Sequence, residues 1–393
     1  MPTLRQPSLV SLASFATFAS LALAVACASS NSPPETTAGP APDSLPGRGA
    51  RSARSDSIRR NAVIENYRPE VSPRAGMLVV ANQDAATATV LDASTMKAIA
   101  TLPVGVGPHE VAISPEGRWA VVSNYGNQTV VGQSLSVIDL AAESPSVVRI
   151  IDLGEYHRPH GLAFVQAGMK LVVTSETSQR LVLVDFLSGR VDTALATNAK
   201  GSHMVTVQRD GRRAWTANIT DGSVTEFDID SRTTKRTFPV APQVEGISAT
   251  PGGVQVWVGS NTAKTVTVID GATAKTLGTV TGFGMPYRVG SSRTGRVVLV
   301  SDPDSNRVTI FDTGTRRELG RINLGAEPGV GSAGAKNAGP EGITFDPITD
   351  IAYVTLHATN QVVAIDLQTR KVVGFGDVGR GPDGIGFSPL VKR

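Results

Sequence analysis

Three of the five histidines in the chain recur in one register: Pro108-His109, Pro159-His160 and Ser202-His203 each open an alternating apolar run. The same register continues at Glu245, Tyr287, Glu341 and Asp383. Three imidazoles faced by carboxylates are the donor set of zinc or another divalent first-row transition metal, with a carboxylate left over as base for a bound water. His109, His160, His203, Glu245 and Glu341 are therefore the candidate metal ligands. Glu245, Glu341 and His357 are the candidate acid–base groups, and Tyr287, Asp383, Glu176 and His157 are further binding groups. The same column also reads as a metal-free ligand site, or as a solvated polar channel mouth that holds no ion. Glu176 or Glu245 would fix the tautomer of a neutral imidazole.

These residues can act together only if the runs behind them lie side by side. The unit is plainest in Gly201–Asp228, where Met204–Val207, Ala214–Ala217 and Val224–Phe227 are apolar or β-branched runs. Asp210-Gly211 and Asp221-Gly222 separate them, and Thr237–Val240 adds a fourth run. This is a four-stranded meander, strands A to D. It recurs seven times at intervals of mostly roughly 42 residues, within the range of propeller blades. One meander cannot bury both faces of its sheet, so the copies must pack face to face around an axis. The expected fold is all-β, a seven-bladed β-propeller of four-stranded antiparallel blades. The chain enters at a strand B, Met77–Ala81, and ends on an unpaired strand A, Gly384–Phe387, which should close the ring as the innermost strand of the first blade.

Strand A lines the axial channel of such a ring, so equivalent residues at its start form a circle. The B–C loops open on the same face and read Gln83, Tyr125, Glu176, Ile219, Asn261, Pro303 and His357. With His157 just before His160, all five histidines map to one end of the channel. Seven strands C end in Asp, at Asp92, Asp139, Asp185, Asp228, Asp270, Asp312 and Asp366. Each opens a turn, and the ordinary role of such an Asp is to accept backbone N–H groups.

Val-Val-Ala-Asn82, Val-Val-Ser-Asn124, Trp-Thr-Ala-Asn218 and Tyr-Val-Thr355, each followed by a Val-Ile-Asp type of strand and a Thr-Lys or Thr-Arg turn, resemble the YVTN-type β-propeller repeat of bacterial YncE-like proteins. The resemblance covers roughly Gly76–Pro389 and speaks for architecture, since related propellers serve as enzymes, scaffolds and binders. Two copies carry insertions, over Gly132–Arg158 and Gly325–Gly339, and insertions mark the face where specificity is built.

Leu9–Ala26 is apolar, follows Arg5 and ends Ala24-Val25-Ala26-Cys27, which reads as an export signal over residues 1–26. Ala-Val-Ala fits ordinary signal-peptidase cleavage, and a small-residue tripeptide before Cys also resembles a bacterial lipobox without its usual Leu, which makes Cys27 the expected lipidation site. Residues 27–66 are rich in Ser, Pro, Ala and Arg and read as a flexible tether, leaving 67–393 for the propeller. A net charge of +3 implies no nucleic-acid partner, and membrane contact is expected through the lipid alone. Gly374-Phe-Gly376-Asp-Val-Gly379 lacks the helix that a dinucleotide site needs, and Asp302-Pro-Asp304-Ser-Asn306 lacks the Gly and Glu of a calcium loop. Trp119, Trp215 and Trp257 sit in strands B and are expected to pack between blades.

The expected protein is thus a monomeric, lipid-anchored propeller of the periplasm or cell envelope. It binds a small-molecule or protein ligand at the His-rich mouth, through a transition metal or without one. Two alternatives stand beside this: a metal-dependent hydrolase or lyase, resembling propeller lactonases and streptogramin lyases, and an envelope scaffold for other proteins.

Overall fold

The computed structural model describes residues 75–331 and 337–391. The expected export signal, Cys27 and its tether lie outside the described residues. So do residues 67–74 and part of the second insertion, 332–336.

Seven four-stranded antiparallel sheets follow one another. Strand A of each blade touches strand A of both neighbours, which places these seven strands around the axis. They are Pro108–Ile113, Pro159–Val165, Ser202–Val207, Val244–Ala249, Val289–Ser291 and Pro340–Phe345 in blades 2 to 7, and Pro382–Ser388 in blade 1. The last of these pairs with Met77–Asn82, setting Leu78 opposite Phe387 and Val80 opposite Ile385. The C-terminal strand therefore closes the ring from the inside, as the unpaired strand A predicts.

Burial follows position in the blade. Strand B of blade 1 is buried throughout, and the outermost strand Ala98–Pro103 alternates between exposed and half-buried. The apolar residues gather in seven cores, each between two adjacent blades. Trp215 and Trp257 fill two of these seams at 1% and 0% exposure. The seven strand-C aspartates take the turn role: Asp92 accepts from the N–H of Ser94 and Thr95, Asp270 from Ala272 and Thr273, and Asp366 from Gln368 and Thr369.

Strand A does not run straight into its sheet. In blade 2, Pro108 pairs with Asn124 and Val111 with Val122, so His109 and Glu110 together oppose Ser123. The same two-against-one bulge sets His160-Gly161, His203-Met204, Glu245-Gly246, Glu341-Gly342 and Asp383-Gly384 apart from their ladders. A bulge re-aims side chains, and in these six blades it turns the start of strand A towards the axis. The hydroxyl at the third position of the YVTN-like motif holds it in place. Ser123 accepts from the N–H of Glu110, and Thr355 accepts from Gly342 while donating to the carbonyl of Asp383 in the next blade. The Asn position braces the neighbouring strand, Asn82 donating to Thr87 and Thr89, and Asn124 to Ser134 and Ser136.

Ring closure generates a prediction. Phe387 is 8% exposed and stacks on Tyr353 with ring centroids 5.7 Å apart, so Phe387→Ala should cost about 3 kcal/mol or more. Val391, 38% exposed, should tolerate Ala within about 0.5 kcal/mol. Urea unfolding of the two variants measures the contrast; equal effects would mean that the last strand bears no closing role.

Candidate functional site

The bulges bring the predicted residues together on one face of the axis. The rings of His109, His160 and His203 form a row, with centroids 4.8 and 3.7 Å apart, and Tyr125 lies 4.4 Å from His109 and 5.4 Å from His160. His109 Nδ1 is 2.8 Å from the carbonyl oxygen of Gly107. A carbonyl only accepts, so Nδ1 carries the proton and Nε2 accepts from the Gln83 amide at 2.8 Å. Burial holds His109 neutral, with its pKa lowered to about 4. Complete burial likewise pushes His160 well below the ordinary value, and its Nδ1 has no hydrogen-bond partner.

His203 is the opposite case. Its Nδ1 lies 2.9 Å from Glu176 and its Nε2 2.6 Å from Glu245, so both ring nitrogens face carboxylates. Burial works against its charge, yet the two carboxylates raise its pKa to about 9. For Glu245 burial alone would raise the pKa, but His203 and Arg288 bring it down to about 2.

Arg288 is the residue that reading one column of the repeat missed. Its guanidinium donates to Glu245 at 2.8 Å, to Glu110 at 2.7 and 3.0 Å, and to Asp383 at 3.3 Å. It also covers the Tyr287 ring at 4.3 Å. The position after the His column reads Glu110, Gly161, Met204, Gly246, Arg288, Gly342 and Gly384. A Cβ at Gly342 or Gly384 would lie 2.1 or 2.3 Å from the next blade's backbone, which explains those glycines. Where the blades leave room, the same position carries the one cation and the one carboxylate that meet across the channel. This second column was the available signal.

Burial raises Asp383 well above the carboxylate range despite Arg288, and its Oδ2 is unpaired. Burial also lifts Tyr287 well above its ordinary value. Glu341 stands apart from the three histidines and pairs with His357 Nδ1 at 3.2 Å, while Asp84 lies 4.0 Å from His357 Nε2. The Glu341 contact raises His357 to about 9. His157 contributes its backbone, its carbonyl accepting from Ser175 and Thr177.

As placed, these groups do not fit a metal ion. Among the described residues no set of three or more His, Cys, Asp or Glu side chains is arranged to hold one. The reason is chemical: His109 has spent both nitrogens on Gly107 and Gln83, and an imidazolium at His203 has no lone pair to give.

Above the row lies a cavity of about 510 Å³, lined by Gln83, Asp84, His109, Tyr125, Asn127 and Arg158 among others. One wall is the tip of the blade 2 hairpin just before the insertion Gly132–Arg158, together with Arg158 at the end of that insertion. Strands B and C of blade 2, Trp119–Gly126 and Val131–Asp139, extend into a hairpin whose Asn127 side chain accepts from the N–H of Thr129 and Val130. Gly126, at φ 92°, leaves no space for a Cβ, which would lie 2.1 Å from the Val130 carbonyl oxygen. Arg158 is held left-handed at φ 52°, donating its N–H to Gly132 and accepting from Glu176. Its guanidinium bonds the Asn127 carbonyl at 2.9 Å and lies 4.9 Å over Tyr125.

Neither a family model nor a curated protein sequence matches the chain. Solved structures do. A chain of Kuenenia stuttgartiensis hydrazine synthase is similar at 20% identity and a TM-score of 0.63, over 76% of this chain and 95% of that one. A functionally unknown protein from Desulfotomaculum acetoxidans is similar at 15% identity and a TM-score of 0.65, over 81% and 100%. Both likenesses are of fold alone.

The axial network predicts two behaviours. Arg288→Met strands Glu110 without its cation, leaves Glu245 with His203 alone, and should cost on the order of 3–5 kcal/mol. His203 and His357, raised to about 9, stabilise the fold fully below about pH 6.5 and lose that contribution as pH rises through about 9. Glu245, lowered to about 2, contributes fully above about pH 4.5 and loses it as pH falls through about 2. Thermal unfolding of His203→Gln and His357→Gln should each flatten the alkaline fall seen in the wild type; unchanged slopes in both would refute the ion pairs.

Proposed function

We propose that this chain is an exported propeller of the YVTN, YncE-like kind, anchored through Cys27 at the cell envelope, that recognises a small ligand at the His-rich mouth of its axis. The observation that carries the reading is the cavity roofed by the blade 2 hairpin. The blade 2 hairpin and the end of the insertion spend two strained or glycine-dependent positions, Gly126 and Arg158, to set Arg158 over Tyr125. Such positions persist where they position a functional group. Arg158 offers guanidinium donors to a carboxylate or similar oxyanion, Tyr125 offers a ring face, and Gln83 and Asp84 supply polar contacts on the facing wall. Binding here needs no metal, because His109 and His203 have both ring nitrogens engaged from within the protein.

A second reading has one specific support. His357 is 31% exposed in its side chain, is flanked by Glu341 and Asp84, and is protonated at neutral pH, which suits a general acid in a hydrolase or lyase.

The test is thermal-shift screening of the purified protein against small carboxylates. A bound ligand at a hundredfold its Kd stabilises by about 2.7 kcal/mol. Arg158→Ala and Tyr125→Ala should each abolish the shift, and Arg321→Ala, on the outside of blade 6, should keep it. Shifts that survive both mouth variants would place recognition elsewhere. Cys27→Ala should move the protein from the membrane to the soluble fraction.

A further inference from the structure

On the outside of the ring, at the other end of strand Trp119–Gly126 from the mouth residue Tyr125, blades 2 and 3 do not meet flush. They leave a cavity of about 320 Å³ whose walls include Trp119, Val137 and Phe186, large enough for a molecule of one or two rings. The repeat does not require it. The position of Trp119, opposite the strand-C Asp, is held in the other blades by Met77, Lys170, Arg213, Gln255, Val297 and Ile351. The position of Phe186, just after that Asp, is held by Ala93, Leu140, Ile229, Gly271, Thr313 and Leu367. Only this seam carries an aromatic residue at both. At the seam of blades 1 and 2 the equivalents Met77 and Leu140 are each 1% exposed and fill the space.

The two rings stand 6.1 Å apart at 59°, each with a guanidinium over its face: Arg118 4.4 Å from Trp119 and Arg149 5.0 Å from Phe186. The two cations differ in one respect. Arg118 is matched by Asp139, with contacts of 2.7 and 3.2 Å. Arg149 is held by the carbonyl oxygens of Phe186 and Leu187 at 2.6 and 2.9 Å, which orient it without neutralising it. Asp185 acts on it through its charge and also accepts from the N–H and hydroxyl of Ser188 through one carboxylate oxygen. Burial lowers the Arg149 pKa, and the Asp185 carboxylate opposes that shift. Glu116, beside Gly168 at the rim, disfavours a second negative charge on anything that enters.

We propose that this seam is a binding site for a small aromatic monocarboxylate, its ring against Trp119 and Phe186 and its carboxylate on Arg149. The site is separate from the mouth cavity and does not depend on what binds there.

Trp119 supplies the readout, because Trp215 and Trp257 are buried at 1% and 0% exposure and only Trp119 reaches the cavity. The purified protein is titrated with 4-nitrobenzoate and with its neutral analogue 4-nitrobenzyl alcohol, following tryptophan quenching corrected for absorption and, in parallel, heat. The expected result is saturable quenching that is absent in Trp119→Phe, with the carboxylate bound at least about tenfold more tightly than the alcohol. In Arg149→Met that difference should vanish while circular dichroism reports the native sheet; if that variant does not fold, the wild-type pair of probes decides alone. Equal affinity for the two probes, quenching that persists in Trp119→Phe, or no saturable binding overturns the proposal.

Discussion

A guanidinium on the axis ties four of the seven blades to one point. Arg288 comes from blade 6 and reaches Glu245 in blade 5, Glu110 in blade 2 and Asp383 in blade 1, and its side chain is only 4% exposed. Burying a charge is costly unless partners surround it, so Arg288 dictates the state of everything it touches. Glu245 stays ionised, Asp383 is left closer to its neutral form, and the remaining valence of Glu245 is met by His203. The positive charges at Arg288 and His203 in turn join burial in keeping His109 and His160 uncharged. The chemistry of the mouth is thus set from below, by an ion network that also holds the ring together.

The repeat separates architecture from function at the level of single positions. Within one YVTN-like motif the apolar residues fill the seams and the hydroxyl staples the bulge, while the Asn braces the next strand. None of these faces the channel. The bulge then frees the two residues opposite the hydroxyl from the ladder, and those are the positions at which the copies diverge. The seams and turns of a blade are therefore built without the residues that stand on the axis, which lets His, Glu, Tyr and Asp occupy equivalent sites in one ring.

The register of the runs and the unpaired final strand were enough to read the blade count, the closure and the grouping of His109, His160 and His203, because each depends on local pattern alone. The turn role of the seven aspartates was legible for the same reason. Arg288 was not read, since a column one residue wide stops at Tyr287, and a bulge exposes two. The pairing of Glu341 with His357 rather than with the imidazole row depends on rotamers that no spacing encodes. The cavity escaped the sequence too: its wall is a hairpin whose height is set by glycine turns and by Arg158 in a left-handed conformation. The seam at Trp119 read as ordinary packing, because the cleft arises from the partner ring in another blade.

The account rests on His203 being an imidazolium locked between Glu176 and Glu245, which makes the mouth a preorganised polar surface in place of a metal centre. Nitrogen-15 NMR of the histidine rings, at neutral pH and with no metal added, reads this directly. The account predicts two protonated ring nitrogens at His203 beside neutral rings at His109 and His160, and no change when zinc is added. A lone-pair nitrogen at His203 at neutral pH, or a zinc-induced shift across all three histidines, would contradict it.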